Sequence, residues 1–429
     1  MELQEVNIRL NNIIFHIDVN SAFLSWEAVY RMAHRGEIRD LREIPSAVGG
    51  DITLRHGIIL AKSIPAKKYG IQTGESIPEA KKKCPNLVLV PPDYEMYEQC
   101  SAAFMEILRE YSDTVEQYSI DEAFIDMSTS CHLFGTPEET AAQIKDRIRD
   151  ELGFTVNIGI STNKLLAKMA SDFQKPDRVH TLYPEEIREK MWPLPISHLF
   201  FVGRATAGKL LSMGIRTIGE LAAADPVWLK SVLKKLGEII WGFANGIDFS
   251  PVLSQPAANK GYGNSTTTPY DVTDIETADR VLLALSETVG NRLRADRVQV
   301  SVVTVGIRYA QLFEGNFPFM SHQKGLQSPT NLTLELYTAA QSLFRELWNG
   351  RPIRHLGVHT GRVSGADLGR QLHLFDEINY EKLSIVDTMV DGIRNRFGAD
   401  AVMRATFLNQ PIDHMSGGTA KALKVRNSK

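Results

Sequence analysis

Asn12 to Asp18, NIIFHID, is a short apolar run bounded by polar residues, and it predicts a buried strand that ends on a carboxylate. Behind it Phe23, Trp26, Val29 and Tyr30 recur at helical spacing, so Ser21 to Ala33 predicts an amphipathic helix. From Arg35 to Cys84 glycines and prolines interrupt the pattern, and Lys62, Lys67, Lys68, Lys81, Lys82 and Lys83 make the stretch basic. A small, loop-rich insertion is expected there. Leu87 to Val90 predicts a strand, Tyr94 to Tyr111 a helix, and Val115 to Met127, VEQYSIDEAFIDM, two strands meeting at a carboxylate-bearing hairpin. Helix Pro137 to Leu152, strand Thr155 to Ile160 and helix Asn163 to Asp172 follow. The alternation from Asn12 to Tyr183 fits a sheet with helices on one face.

Lys175-Pro176-Asp177 and the prolines 184, 193 and 195 mark a boundary, after which Leu194 to Asp248 reads as all-helical. Ser250 to Gly263, with two prolines and little apolar periodicity, reads as a linker. Beyond it, β-prone Asn264 to Thr268, helix Ile275 to Arg297, strand Val298 to Tyr309, helix Thr330 to Trp348 and strand His355 to Val363 outline a split β-α-β plan. The alternation in Val298 to Tyr309 changes phase between Val302 and Val303, the sign of a bulge or of burial on both faces. A short polar segment, QLHLF, precedes a helical Tyr380 to Arg396 and a polar terminus.

A chain of 429 residues has room for about three domains, each able to bury a core. Lys+Arg number 48 against 51 Asp+Glu, so no uniformly basic coat exists and the placement of charge decides what the protein binds. Cys84, Cys100 and Cys131 stand in no metal-ligand spacing and read as reduced thiols. No run of about 18 apolar residues occurs and the N-terminus lacks a signal peptide's basic head, so the expected location is cytoplasmic, with no membrane partner.

Asp18, Asp121 and Glu122 are the informative residues, because charged side chains are rarely buried without a partner. Divalent cations are one answer: Mg²⁺ takes carboxylate and phosphate oxygens, and two ions roughly 3.5–4 Å apart stabilise both oxygens of a phosphoryl transfer. Surface carboxylates at strand ends are the other, since neighbours on a regular strand point to opposite faces. Asp121 and Glu122 share a site only at a twisted hairpin end.

The words around these acids decide between the two. DVNSAF (Asp18 to Phe23), YSIDEAFID (Tyr118 to Asp126) and GISTNKLLAKMASDFQKPD (Gly159 to Asp177) resemble, in order and spacing, the three signature segments of the Y-family translesion DNA polymerases. The resemblance extends to about Val363. It implies an α+β multidomain right hand: a ferredoxin-like palm (1–22 and 88–183), small fingers (23–87), a helix-hairpin-helix thumb (184–250), a linker (251–261), a split β-α-β little finger (262–365) and a clamp-binding tail (366–429). Asp18, Asp121 and Glu122 become the catalytic metal-binding carboxylates for two Mg²⁺ ions, with Mn²⁺ able to substitute, and Val19 gives a main-chain carbonyl. Phe23 falls at the steric gate, where a ring against C2′ of the sugar excludes a ribonucleotide. The amides of Asn20, Ser21, Ala22 and Phe23 and the ammonium of Lys175 fall where the family holds the incoming triphosphate.

LAKSIPAKKYG departs from the family, placing Ala61, Ile64 and Lys67 where a threonine, a tyrosine and an arginine usually touch the phosphates. Lys67 keeps the charge without the bidentate fork, so weaker or altered nucleotide contacts are expected. LFFVGRATAGKL, Leu199 to Leu210, resembles a helix-hairpin-helix with Phe201 in place of its first glycine, which puts Val202 and Gly203 on a DNA phosphate. Lys164, Lys168, Arg308 and Arg362 are expected DNA contacts, among basic residues that also include Arg178, Arg292, Arg294, Arg297 and Arg354. Gln371, Leu372, Leu374 and Phe375 of QLHLF resemble the peptide that docks bacterial polymerases on the sliding clamp. Primer-template DNA, dNTPs and the clamp are the expected partners of a monomer. The tail and QLHLF lean toward the polymerase V-like branch rather than the polymerase IV-like one. A nucleotidyl cyclase shares such a carboxylate pair but has no use for the later segments; a non-catalytic clamp- or DNA-binding regulator has no use for the acids.

Overall fold

Alternation along Ile14–Val19 (β1) sorts the first strand onto two faces: Phe15, Ile17 and Val19 enter an apolar core, and His16 and Asp18 face the other way. The computed structural model describes residues 12–50, 57–255, 257–310, 318–365, 379–412 and 414–415. The chain parts after Ala257 into two compact units.

In the first unit β1 leads into helix α1 (Ala22–His34). The expected loop-rich insertion is a folded layer. It contains β2 (Ser46–Gly49), β3 (Ile59–Lys62), the one-turn helix α2 (Ile64–Lys67), α3 (Ile77–Lys83) and β4 (Val88–Val90), its sheet ordered β3-β2-β4 over a core that includes Ala47, Ile59, Ile71 and Ile77. Serines and prolines that resemble loop signals open its helices: Ser63 and Ser76 accept hydrogen bonds from Ala66 and Glu79 N–H, with proline in each first turn. Val88–Val90, expected to begin the palm stretch, pairs in parallel with β2 instead.

The chain continues through α4 (Tyr94–Arg109), β5 (Val115–Gln117), β6 (Glu122–Asp126), α5 (Pro137–Leu152), β7 (Val156–Ser161), α6 (Lys164–Ser171) and β8 (Val179–Thr181), and builds a five-stranded sheet ordered β5-β6-β1-β7-β8. Trp26 of α1, Phe104 and Leu108 of α4 and Ile144 and Ile148 of α5 cover one face. Helices on one face were expected, but α6 lies on the other. Gly159 of β7 allows it: a Cβ there would stand 1.9 Å from Ala167 O and 2.5 Å from Ser171 N of α6. Polar groups on that face are met by the helix, His16 Nδ1 bonding Ser171 Oγ at 2.7 Å and Asn157 Nδ2 donating to Ser171 O at 3.1 Å. The outer side of α6 gives Leu165, Leu166 and Met169 to the core of the helical segment α7 (Arg204–Ser212), α8 (Ile218–Ala222), α9 (Pro226–Leu233) and α10 (Lys235–Ala244).

The second unit is an antiparallel sheet ordered β11-β10-β12-β9 under two helices, formed in chain order by β9 (Gly263–Val272), α11 (Ile275–Ala295), β10 (Val298–Tyr309), β11 (Phe319–Thr330), α12 (Thr333–Leu347) and β12 (Ile353–Gly365). The phase change in β10 is a register shift against β11 between Val300 and Val302. Helix α13 (Tyr380–Phe397) lies on α11 through its charged side. Arg294 meets Asp391 at 2.6 Å and Asp387 at 3.2 Å, and Arg394 meets the buried Glu287 at 2.9 Å. QLHLF, with Gln371, Leu372, Leu374 and Phe375, lies outside the described residues.

Gly159→Ala drives a methyl group into the α6 backbone, and overpacking of this kind costs about 1–3 kcal/mol or more. Urea unfolding should show the midpoint fall with the m-value kept; an unchanged midpoint would mean that the helix is not pressed against β7.

Candidate active site

The antiparallel pairing of β1 with β6 sets Asp18 directly opposite Glu122. Asp121 precedes β6, in a bend whose carbonyl accepts Val19 N–H at 3.0 Å, and Ser119 Oγ donates to Asp121 Oδ1 at 2.7 Å. The bend frees Asp121 from strand alternation, so all three acids line one cleft of about 620 Å³.

Two lysines answer their charge. Lys175, beyond the end of α6, bonds Asp18 Oδ2, and Lys168 Nζ donates to Glu122 Oε2 at 2.7 Å. Burial pushes Asp18 up to about 6 against the pull of Lys175, with Glu122 and Asp121 adding to the rise. Burial also acts to raise Glu122, but the His16 ring 3.7 Å away and the hydrogen bond and charge of Lys168 bring it to about 2. His16 itself is pushed down to about 4 by burial, so near neutral pH it is uncharged and Lys168 is the cation beside Glu122. Among the described residues no three acid, histidine or thiol groups stand together as a ready cage. The donors are nevertheless hard oxygens, three carboxylates on one cleft of which Lys175 and Lys168 pair two. Asp18, Asp121, Glu122 and the Val19 carbonyl therefore fit a divalent cation of the Mg²⁺ or Mn²⁺ kind.

Beside the acids, α1 begins without a side-chain cap, Ser21 at its head standing in the left-handed region at φ 50°. Its first N–H groups, at Ala22 and Phe23 along the cleft wall, are left for an anion with that of Ser21, whereas the expected Asn20 N–H is taken, donating to Thr155 O at 3.0 Å. The Phe23 ring also lines the cleft, stacked on Tyr97 with centroids 4.6 Å apart and 11° between planes. Across the cleft stand Ala61, Ile64 and Lys67. Ala61 is buried and Ile64 is 51% exposed, so neither side chain has a polar atom to offer. Lys62, which sequence reasoning passed over as one lysine of a basic run, lines the same wall with Nζ donating to Thr73 Oγ1 at 3.1 Å. Burial and the neighbouring Lys67 lower its pKa, the mark of cations gathered with little counter-charge.

The expected DNA contacts divide. Lys164 is engaged within the protein, 2.7 Å from both Glu116 oxygens, as Lys168 is with Glu122. Arg294 is likewise held by Asp387 and Asp391. Arg308 and Arg362, in the second unit, are exposed. At the helical hairpin Val202 is buried and Gly203 caps α7 with no side-chain bond to its N–H groups. Phe201 adopts φ 71°, the left-handed conformation that favours glycine, with its side chain 57% exposed. Cys84, Cys100 and Cys131 are free thiols. No helix among the described residues is long and apolar enough to cross a membrane.

Two family models match the chain: the impB/mucB/samB family over residues 17–172 and the impB/mucB/samB family C-terminal domain over 259–374. The chain is 44% identical over 402 residues, 94% of its length and 99% of the relative's, to a protein of Clostridium acetobutylicum named DNA polymerase IV. It is 39% identical over 403 residues, 93% of its length and 98% of the relative's, to the DNA polymerase IV of Acetivibrio thermocellus. With DNA polymerase IV 2 of Bacillus subtilis it shares 39% over 401 residues, 92% of this chain and 94% of the other. These names side with the polymerase IV-like branch rather than with the leaning drawn from the tail. Among solved structures a Y-family DNA polymerase chimera superposes with a TM-score of 0.69 at 23% identity, covering 82% of this chain and 99% of that one.

Lys168→Met keeps an unbranched side chain at the site but removes the ammonium that lies over the Tyr118 and Phe200 rings, leaving Glu122 beside Asp18 without its cation. In buffer free of divalent ions it should cost on the order of 2 kcal/mol near pH 7, less than a fully buried pair because Glu122 keeps 23% of its side-chain surface. A depressed carboxylate stabilises above its unfolded value of 4.5 and ceases to do so as the pH falls toward about 2. The gap between variant and wild type, followed by urea unfolding, should therefore narrow below pH 4.5; a gap constant with pH would remove the ion pair as its cause.

Proposed function

We propose, for a chain that belongs to the impB/mucB/samB family and is a DNA-directed DNA polymerase, that it carries out low-fidelity translesion synthesis by two-metal-ion nucleotidyl transfer. The observation that carries this reading is the register that sets Asp18 against Glu122, with Asp121 beside them on the same cleft. The 3′-hydroxyl of a primer attacks the α-phosphorus of a template-paired dNTP, forming an O3′–P bond as the bond to pyrophosphate breaks and the hydroxyl proton leaves to solvent. Two Mg²⁺ ions, or Mn²⁺ in their place, held by Asp18, Asp121, Glu122 and the Val19 carbonyl, would lower the pKa of that hydroxyl and neutralise the departing charge.

The protein's own groups position the reactants. The uncapped N–H groups from Ser21 to Phe23 receive phosphate oxygens at the positive end of α1. Lys175, at the floor of the cleft, reaches the same phosphates as a point charge. Lys62 and Lys67 supply from the opposite wall the charge that Ala61 and Ile64 cannot. Phe23 closes the space that a 2′-hydroxyl needs. Nothing in this arrangement calls for a protein nucleophile, so catalysis is positioning and electrostatics.

The three-stranded layer serves as fingers, the five-stranded sheet as palm and α7 to α10 as thumb, with the second unit as little finger. A fingers layer this small encloses the nascent pair loosely, which suits damaged templates and weakens error rejection. The exposed Arg308 and Arg362, with Gly203 at the thumb hairpin, hold primer-template DNA through phosphates. Gln371, Leu372, Leu374 and Phe375 dock the monomer on the replicative clamp.

Primer extension with Mg²⁺ on undamaged and abasic templates tests the reading. Wild type should extend distributively and pass the lesion, and Asp121→Ala/Glu122→Ala should lose at least about a thousandfold in rate. Phe23→Ala should incorporate ribonucleotides that wild type rejects. Extension persisting in the double acid variant would take these carboxylates out of the reaction.

A further inference from the structure

Glu27 is a buried carboxylate that the reaction above leaves without a task. It lies in the middle of α1 at 2% exposure, where a charge is costly unless both oxygens are met. Both are met. Tyr97 Oη donates to Glu27 Oε1 at 2.9 Å, and Arg31 Nε donates to Oε2 at 2.8 Å, with Arg31 Nη1 held in turn by Glu37 at 3.0 Å. Tyr97 is fully buried, and it is the ring on which Phe23 stacks. Tyr94 meets Phe23 edge-on at 6.1 Å and Trp26 tilts against it at 5.9 Å.

We propose that the Arg31–Glu27–Tyr97 relay is the backstop of the Phe23 gate, fixing the Tyr97 ring so that Phe23 cannot retreat from the sugar of the incoming nucleotide. The inference rests on the reading of Phe23 as the gate and adds the residues that make it selective. Rejecting a hydroxyl by contact works only if the ring holds its place, since a side chain that slides back by a fraction of an ångström admits the extra oxygen. Phe23 has two rotatable bonds and one face toward the cleft, so its resistance comes from the ring behind it. A purely apolar wall lets a tyrosine ring shift along its own plane; a hydrogen bond from its far end to a carboxylate, itself clamped by a guanidinium, removes that freedom. Burial and the adjacent carboxylate push the Tyr97 hydroxyl well above its usual range, so it remains a donor throughout the working pH range. Tyr97 and Glu27 are thus positioning residues, touching no substrate atom.

The test compares kcat/KM for dNTP and rNTP incorporation, opposite the same template base, in full-length enzyme. Tyr97→Phe keeps the stacked ring and removes the hydrogen bond; the dNTP-over-rNTP ratio should fall about tenfold, the value of one hydrogen bond to a charged group. Glu27→Gln keeps an acceptor for Tyr97 and should hold most of the ratio, whereas Glu27→Ala should lose it as Tyr97→Phe does. A general loss of folded protein lowers both substrates alike and leaves the ratio untouched, so the ratio separates positioning from stability. Adding Tyr97→Phe to Phe23→Ala should lower the ratio no further, because the relay acts through that ring. If Phe23→Ala collapses the ratio while Tyr97→Phe and Glu27→Ala keep it, the gate stands and the relay is overturned. If Phe23→Ala itself keeps the ratio, the gate reading fails and the relay falls with it.

Discussion

Two carboxylates placed side by side on a sheet face, each with most of its surface withdrawn from water, repel each other and lose solvation together. The β1–β6 register forces that arrangement on Asp18 and Glu122, and positive charge has to be brought to them. Lys168 comes from α6 and Lys175 from the turn just beyond it, so the helix must lie on the acid face. Gly159 clears the space, His16 and Asn157 give the helix polar partners, and the helix then turns Leu165, Leu166 and Met169 outward. The helical domain packs on those residues. The demand of the acids for cations thus fixes where the segment α7 to α10 is attached.

The same lysines explain how the cleft holds its form. Two ammonium groups beside the three acids offset part of their charge from within the chain itself. Lys175 is the more adaptable of the two, 36% exposed on its side chain and shared between Asp18 and Asp172. Lys168, at 11% exposure and flanked by the rings of Tyr118 and Phe200, is fixed. Lys175 has room to turn away from Asp18, while Lys168 stays as support for Glu122. One lysine is adaptable and the other fixed, a division that counting basic residues along the chain cannot make.

That limit runs through what was legible in the sequence. Apolar alternation located β1, the 115–127 hairpin, β7 and the helices of both units, because burial of one face leaves a period in the sequence. It could not place α6, whose partner face is lined by His16, Asn157 and Gly159 and carries no apolar period. It took the fingers layer for loops, since serine caps and first-turn prolines are the same residues that make turns. The motifs named the acids, Phe23 and Lys175, but Lys164 and Arg294 proved to serve ion pairs within the fold. Lys62 was hidden because a lysine's role depends on the wall it faces. Helix α13 is the sharpest case: its period was visible, yet Asp387, Asp391 and Arg394 point inward while Ile385, Met389 and Phe397 are exposed, the reverse of the usual reading.

Helix α1 shows why a buried charge came to stand behind the gate. Its 13 residues serve two cores at once: Ala22 and Trp26 enter the core under the five-stranded sheet, and Leu24 and Ala28 pack with Val48, Ala61 and Val90 of the small one. A helix covered on two sides keeps little surface for polar residues, and Glu27 falls where neither core is open to water. An apolar residue would fill the position at lower cost in desolvation. With Glu27 in place, the hydroxyl of Tyr97 gains its acceptor and Arg31 its partner, and the ring stacked on Phe23 is tied to the helix that carries Phe23. Helix α1, the Tyr97 ring and Phe23 are thus tied to one another, and this wall of the cleft is anchored in both cores.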